Sequence, residues 1–246
     1  PQNYSEEFYG PSTLRLGLEL SRNVMTVRLA QEMGMRPIVE AGERFGIYDE
    51  LSPTLAMALG AGETSLLRLV SAYSALVNGG RLVEPTLLDR VQDRSGRTIY
   101  VHDPRACSGC DVETWDPQSV SEPDLPPLGE EVVDPATAYQ IVHMLEGAVE
   151  RGTGTALRYL DRPLAGKTGT TNDFRDAWFV GFSPDLIVGA YVGYDTPLPL
   201  GSGEAGGRVA APIVRDFLAP TLEDYSVTPF RVPEGIRLAP IDRRTG

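Results

Sequence analysis

The hydrophobic positions in the first part of the chain follow helical spacing. Residues 12–34 carry repeated leucines and valines on both sides of Ser21-Arg22-Asn23. Ser and Asn side chains bond to nearby backbone and favour caps and turns, so we predict two helices joined by a turn at 21–23. Residues 64–77 predict a further helix. Asn78-Gly79-Gly80 ends it, because Asn and Gly tolerate the left-handed conformation at a helix C-terminus.

The strongest helical pattern begins at Asp134. Asp suits the N-cap, and Pro135 suits the first turn, where its missing N–H costs nothing. The apolar residues that follow fall on one stripe of a helix surface: Ala138, Ile141, Val142, Leu145 and Val149. His143 lies off this stripe, so we expect an exposed or boundary histidine rather than a catalytic one.

Two later patterns predict β-hairpins. Residues 86–93 and 97–101 alternate around Arg94-Ser95-Gly96. Residues 177–182 and 186–194 are rich in aromatic and β-branched side chains. The segment between them, Ser183-Pro184-Asp185, is a turn signal.

The end of the chain is less regular. Gly201–Gly207 predicts a glycine-rich loop and residues 210–218 a final helix. The tail from Pro229 is predicted to be extended, and residues 241–246 resemble a strand that enters a turn.

The order of elements is helices, then adjacent antiparallel strands, then a helix, which favours an α+β fold over alternating βαβ units. The segment 102–131 is rich in prolines and acids, which is typical of a surface insertion. The resulting division has four parts: a helical part with a hairpin at 1–101, the surface insertion at 102–131, a sheet part at 132–220 and an extended tail at 221–246.

Composition excludes several classes of function. The chain has 246 residues, of which 41% are hydrophobic and 23% charged, as in ordinary soluble globular proteins. A net charge of −12 argues against nucleic-acid binding, which needs Lys and Arg to neutralise phosphates. No apolar run reaches the length of about 18 residues that a membrane span needs. The chain has no initiator Met and no secretory signal pattern, and we expect both ends to have been cut from something longer.

Two cysteines, Cys107 and Cys110, lie in Cys-Ser-Gly-Cys. The histidines supply no spaced second pair, so this spacing predicts loop thiols or one small local disulfide rather than a zinc site. We predict no metal and no cofactor.

Lys167 is the only lysine of the chain and lies in Gly-Lys-Thr-Gly-Thr. A phosphate-binding loop would need glycine at position 161, where the chain has Asp161, and a helix directly afterwards. We therefore interpret Lys-Thr-Gly-Thr as a strand that lines a cleft. The Lys167 ammonium would attract a carboxylate, and the hydroxyls of Thr168 and Thr170 would bond to it.

Two further features of this segment suit acyl transfer. Gly169 lacks a Cβ, so a substrate backbone could lie alongside as an added strand. The Thr170 N–H would point at a carbonyl oxygen that becomes negative during the reaction. A proton relay and an amide that positions the substrate would come from Ser21 and Asn23. Taken alone, Ser-x-Asn is also explained by a plain helix break.

The order of these motifs resembles the transpeptidase domain of the class A high-molecular-weight penicillin-binding proteins. The resemblance covers nearly the whole chain. It rests on Leu20-Ser21-Arg22-Asn23, Arg151-Gly152-Thr153-Gly154-Thr155, the segment 165–171, Asp176-Ala177-Trp178-Phe179-Val180-Gly181-Phe182 and Gly193-Tyr194-Asp195.

This resemblance implies an α+β fold of the penicillin-binding protein and serine β-lactamase type, with helices flanking an antiparallel sheet. It implies cross-linking of peptidoglycan by serine acyl transfer on the D-Ala-D-Ala end of a stem peptide, with β-lactams as acylating inhibitors. Ser21 would pass a proton to the leaving group, Asn23 would hold the substrate amide, and Lys167 would set the field near Ser21. Thr168, Gly169 and Thr170 would bind the substrate.

The chain departs from the family pattern at the nucleophile. Ser-x-x-Lys cannot occur, because the residue three positions before Lys167 is Leu164. We therefore expect a C-terminal part of the domain that is inactive alone. The parent would carry the nucleophile, a glycosyltransferase domain and a membrane anchor, and would face the periplasm from the inner membrane.

Two alternatives remain open at this point. The same residues would serve a D-Ala-D-Ala carboxypeptidase or a β-lactamase, in which water is the acceptor. A chain without a nucleophile would also suit a non-catalytic module that binds stem peptides or a partner protein.

Overall fold

A computed structural model describes residues 3, 7–105, 107, 125–242 and 245 of the chain. The helices of this part are α1 (Leu14–Glu19), α2 (Asn23–Met33), α3 (Arg36–Arg44), α4 (Leu66–Val77), α5 (Pro135–Arg151) and α6 (Gly206–Thr221). Its strands are β1 (Arg81–Leu82), β2 (Arg90–Gln92), β3 (Thr98–Val101), β4 (Glu130–Glu131), β5 (Ala165–Thr170), β6 (Asp176–Phe182) and β7 (Ile187–Gly193). Short 3₁₀ segments cover Leu55–Leu59, Thr155–Leu160, Asn172–Phe174 and Leu222–Asp224.

The chain divides into a larger unit, residues 1–82 and 131–246, and a smaller unit, residues 83–130. The smaller unit contains the predicted hairpin, in which β2 and β3 pair antiparallel with Arg90 opposite Val101. The first arm is shorter than predicted, since it begins at Arg90. The four-part division of the chain stays a prediction.

Most of the predicted insertion, residues 106 and 108–124, lies outside the described residues, and so does Cys110. Cys107 is disulfide-bonded.

A three-stranded antiparallel sheet organises the larger unit. Its strand order is β5-β6-β7, with β5 at one end. The pairing places Lys167 opposite Val180 and Gly169 opposite Trp178. Side chains alternate between the faces of a strand, so Lys167 and Thr168 point to opposite faces.

Helices cover both faces of this sheet. On one face, Ala165, Val180 and Phe182 pack with Val142 and Leu145 of α5. The core of the other face joins the sheet to α6 and is formed by Ala177, Phe179, Ala190, Ala210, Ala211, Val214 and Leu218. Helices on both faces of an antiparallel sheet confirm the predicted α+β class.

Several predicted elements are confirmed with their local chemistry. Helices α1 and α2 are joined by a turn, as predicted, but the turn lies at 20–22, because Asn23 already belongs to α2. Helix α4 begins after Ser65, whose hydroxyl accepts the Arg68 N–H. Asp134 caps α5, because its carboxylate accepts the N–H groups of Ala136 and Thr137 at 2.9 and 3.3 Å. His143 lies off the buried face, as predicted, and its Nδ1 is 3.0 Å from the Glu146 carboxylate.

Other predictions were wrong. Gly206 and Gly207 belong to α6 and not to the predicted loop. Of the predicted strand at 241–246, residues 241–242 form no strand, and residues 243, 244 and 246 lie outside the described residues. The sequence analysis also missed α3, a helix of nine residues with no buried residue.

No helix in the part of the chain that the structure describes is long and apolar enough to cross a membrane.

Candidate active site

Ser21 occupies the left-handed position of the turn that ends α1. Its φ is 51°, and its N–H donates to the Leu18 carbonyl at 3.2 Å. The next N–H, that of Arg22, donates to the Gly17 carbonyl at 2.9 Å. These two bonds define a Schellman C-cap, in which the left-handed position is usually glycine. A residue with a Cβ costs about 1–2 kcal/mol there. Strain of this kind concentrates at functional sites.

Lys167 reaches Ser21 from the sheet. Its Nζ donates to the Ser21 Oγ at 2.7 Å and to the Thr168 carbonyl at 2.9 Å. Both residues are half-buried. The two residues that the sequence singled out, 146 positions apart, are therefore in direct contact.

Burial of its ammonium lowers the pKa of Lys167 from 10.5 to about 8. The cause is the cost of removing a charge from water. At neutral pH the side chain is still mostly protonated. It acts as a hydrogen-bond donor and a fixed positive charge beside the Ser21 hydroxyl.

The hydroxyls of Thr168 and Thr170 have protein partners that sequence reasoning missed. Thr168 Oγ1 lies 2.7 Å from Thr153 Oγ1. Thr170 Oγ1 accepts the N–H of Gly206, the first residue of α6, at 3.0 Å. A hydroxyl that accepts a hydrogen bond keeps its own proton for donation. These contacts orient the hydroxyls of β5 and leave donor capacity for an anionic ligand.

Asn23 begins α2 and is half-buried.

Arg22, between Ser21 and Asn23, stacks its guanidinium over the Tyr9 ring at 4.1 Å and donates to the Ser12 hydroxyl. Its Nε is buried without a hydrogen-bond partner among the described residues. A groove of about 540 Å³ lies beside Arg22, and Lys167 does not line it. Sequence reasoning gave Arg22 no role, because a lone Arg in a turn carries no specific signal.

No cluster of three or more His, Cys, Asp or Glu side chains suited to a metal ion exists within the described ranges.

Residues 1–219 match the family described as the penicillin binding protein transpeptidase domain. The chain belongs to this family. The match covers most of the chain and includes Ser21, Asn23 and the whole of β5.

Curated relatives named penicillin-binding protein 1A agree with this assignment. The chain is 43% identical over its whole length to the protein of Rickettsia prowazekii, of which it spans 31%. It is 34% identical over 96% of its length to the protein of Neisseria flavescens, of which it spans 28%. The chain thus spans about a third of the length of these relatives.

Solved structures confirm the fold. The crystal structure of penicillin-binding protein 1A from Haemophilus influenzae aligns with the whole chain at a TM-score of 0.84 and 31% identity, over 39% of that protein's chain. PonA1 of Mycobacterium tuberculosis in complex with penicillin V aligns with 96% of the chain, over 63% of its own, at a TM-score of 0.73 and 23% identity. The latter likeness concerns the fold alone.

The unusual backbone of Ser21 gives a stability prediction. Ser21→Gly and Ser21→Ala both remove the hydroxyl, but only glycine is unstrained at this φ. We expect the glycine variant to unfold roughly 2–4 °C above the alanine variant, which corresponds to about 1 kcal/mol. Thermal unfolding followed by circular dichroism measures the difference. Equal unfolding temperatures would show that residue 21 is not held in the left-handed conformation.

The single lysine gives a direct measurement of the pKa at the site. A chain labelled with [¹³Cε]lysine has one lysine signal, and its shift should titrate with a pKa of about 8. Lys167→Arg removes this signal and confirms its assignment. A midpoint at the ordinary value of 10.5 would mean that the ammonium is not buried.

Proposed function

We propose that this chain supplies the proton-relay and substrate-binding side of a D-Ala-D-Ala transpeptidase site that cross-links peptidoglycan by serine acyl transfer. The observation that carries the proposal is the 2.7 Å contact between Lys167 Nζ and Ser21 Oγ. It unites a strained turn and the end strand of a sheet in a member of the penicillin-binding protein family.

Ser21 moves the proton in this mechanism. When a nucleophile attacks the D-Ala-D-Ala carbonyl, the departing D-Ala nitrogen needs a proton. The Ser21 hydroxyl donates this proton and receives in its place the proton that the attacking serine loses. The adjacent Lys167 ammonium stabilises the transient negative charge on Ser21 Oγ. Asn23, two residues further on, binds the substrate amide.

Strand β5 binds the substrate end. Thr170 is exposed, and its hydroxyl already accepts from Gly206, so its proton points away from that N–H. The hydroxyl group of Thr168 is paired with that of Thr153, and one proton of the pair remains for donation. These two hydroxyls suit the terminal carboxylate of a stem peptide, while Lys167, on the opposite face of the strand, acts on Ser21.

The position of β5 at the end of the strand order leaves room for the backbone of the substrate peptide. A peptide backbone can pair alongside such a strand as an added strand, and Gly169 keeps a Cβ out of its way. The Thr170 N–H then serves as a donor to the oxyanion, a contact whose removal costs about 3 kcal/mol in comparable enzymes.

The acylated serine belongs to a part of the longer protein outside these 246 residues, since Ser-x-x-Lys does not occur in them. We propose that the longer protein also carries the glycosyltransferase domain and the membrane anchor of its class. It would then work at the periplasmic face of the bacterial inner membrane. β-Lactams would acylate the same serine.

Covalent labelling tests this proposal. In the longer protein, Lys167→Met and Ser21→Ala should each slow acylation by fluorescent penicillin about 100-fold or more, because each removes a contact formed in the transition state. The rate is read from the fluorescent band after denaturing electrophoresis. The 246-residue chain alone should give no band.

His143→Gln is the matched control, since His143 is exposed and lies off the buried face of α5. It should acylate at the parent rate. Acylation of the Lys167 and Ser21 variants at that same rate would remove both residues from the mechanism. Incubation with a stem peptide and an amine acceptor identifies the acceptor: a cross-linked product supports transpeptidation, and release of D-Ala alone indicates hydrolysis.

A further inference from the structure

A buried ion pair lies directly behind the Ser21 turn. Glu19, the last residue of α1, is fully buried. Its two carboxylate oxygens accept from the Nη2 and Nε of Arg151 at 2.5 and 3.1 Å. Two-point pairing of this kind fixes direction as well as distance. Glu19, which lies two positions before Ser21 in the chain, is therefore anchored to Arg151, the last residue of α5.

The surface of α5 is shaped to receive Glu19. A Cβ on Gly147 would collide with the Glu19 carboxylate, and a Cβ on Gly152 would collide with the Glu19 carbonyl. The absence of these two side chains lets the end of α1 approach α5 closely. The close approach and the ion pair depend on each other, because a buried carboxylate needs a charged partner.

Thr153 connects this contact to the sheet. Its N–H donates to the Glu19 carbonyl at 3.2 Å, and its hydroxyl pairs with that of Thr168 at 2.7 Å. Thr168 is the neighbour of Lys167 in β5, and its carbonyl accepts from the Lys167 ammonium. A continuous path therefore runs from the α1 terminus through residues 151–153 to the strand that carries Lys167.

We propose that Glu19, Arg151 and Thr153 form a bracket that positions the Ser21 hydroxyl against Lys167. The inference rests on the proposed function for its significance, but the contacts that form the bracket do not depend on that function. The bracket holds both ends of the Lys167–Ser21 contact: the strained turn through Glu19, and β5 through Thr168. None of the three makes a hydrogen bond to the Ser21 hydroxyl or to the Lys167 ammonium, whose acceptors are Ser21 Oγ and the Thr168 carbonyl, so they are positioning residues for this contact.

The sole lysine reports on the bracket without any need for activity. Glu19→Gln keeps the side-chain shape and removes the charge that binds Arg151. If Ser21 then moves away and water reaches Lys167, the pKa of Lys167 rises towards 10.5, by about 1 unit or more. Loss of the negative charge alone would act in the opposite direction, because an anion stabilises an ammonium. The sign of the shift therefore separates positioning from simple electrostatics.

Two further variants complete the experiment. Thr153→Val removes the hydroxyl link without a change of charge, and it should also raise the pKa of Lys167. Asp49→Asn is the control, because both Asp49 carboxylate oxygens also accept from one arginine, from Nη2 of Arg68 at 2.8 and 2.9 Å, but this pair is exposed. It should leave the lysine signal unchanged. If Glu19→Gln does not fold, the pKa of Lys167 in Thr153→Val tests the bracket by itself.

In the longer protein, Glu19→Gln should slow penicillin acylation about 10- to 100-fold with little change in the affinity of the non-covalent complex, as expected when a reacting group is misplaced. An unchanged or lowered pKa of Lys167 in both folded variants would overturn the bracket. A parent chain whose Lys167 titrates at 10.5 would instead contradict the Lys167–Ser21 contact, and with it the proposed function. The two failures are therefore distinguishable.

Discussion

The hydrogen bond between the Lys167 ammonium and the Ser21 hydroxyl is the contact on which the rest of the site depends. It joins two segments that are 146 residues apart, one in the helical layer and one in the sheet. Each end carries a cost. Ser21 adopts a backbone conformation that favours glycine, and Lys167 holds a charge where burial lowers its pKa to about 8. Such costs are retained when the arrangement has a use.

The surrounding fold offsets these costs. Helix α5 packs against one face of the sheet and ends in Arg151, which binds the buried Glu19 at the end of α1. Helix α6 packs against the other face, and its first N–H donates to Thr170. Helix α6 thus reaches β5 through its first residue, and helix α5 reaches the end of α1 through its last residue. The sheet is short, and β5 lies at the end of the described strand order, where we propose that a peptide pairs with it.

Much of the local structure could be predicted from the sequence, because it follows from local chemistry. Residues close together in the sequence indicate three of its features: the Asp134-Pro135 start of α5, the Asn-Gly-Gly end of α4 and the aromatic hairpin of β6 and β7. Lys167 was found because it is the only lysine and lies in a recognisable strand motif. The confirmed family assignment rests on several such motifs in a fixed order.

The partners of these residues were not predictable, because they arise from tertiary contacts. No pattern in the sequence pairs Glu19 with Arg151, which is 132 positions away. Nor does any pattern pair Thr153 with Thr168, which is 15 positions away. The glycines at 206 and 207 suggested a loop, although the packing of α6 places them in its first turn. Helix α3 is only nine residues long and none of them is buried, so its apolar residues are too few to give a long periodic pattern.

The most direct test of the account is an isotope-filtered NOE experiment on a chain with ¹³C-labelled lysine, in which all signals from the label belong to Lys167. The account predicts a cross-peak between the ε-methylene of Lys167 and the β-methylene of Ser21 in the parent chain, and its loss in Ser21→Gly. A parent spectrum in which the lysine ε-methylene shows no contact with Ser21 would contradict it.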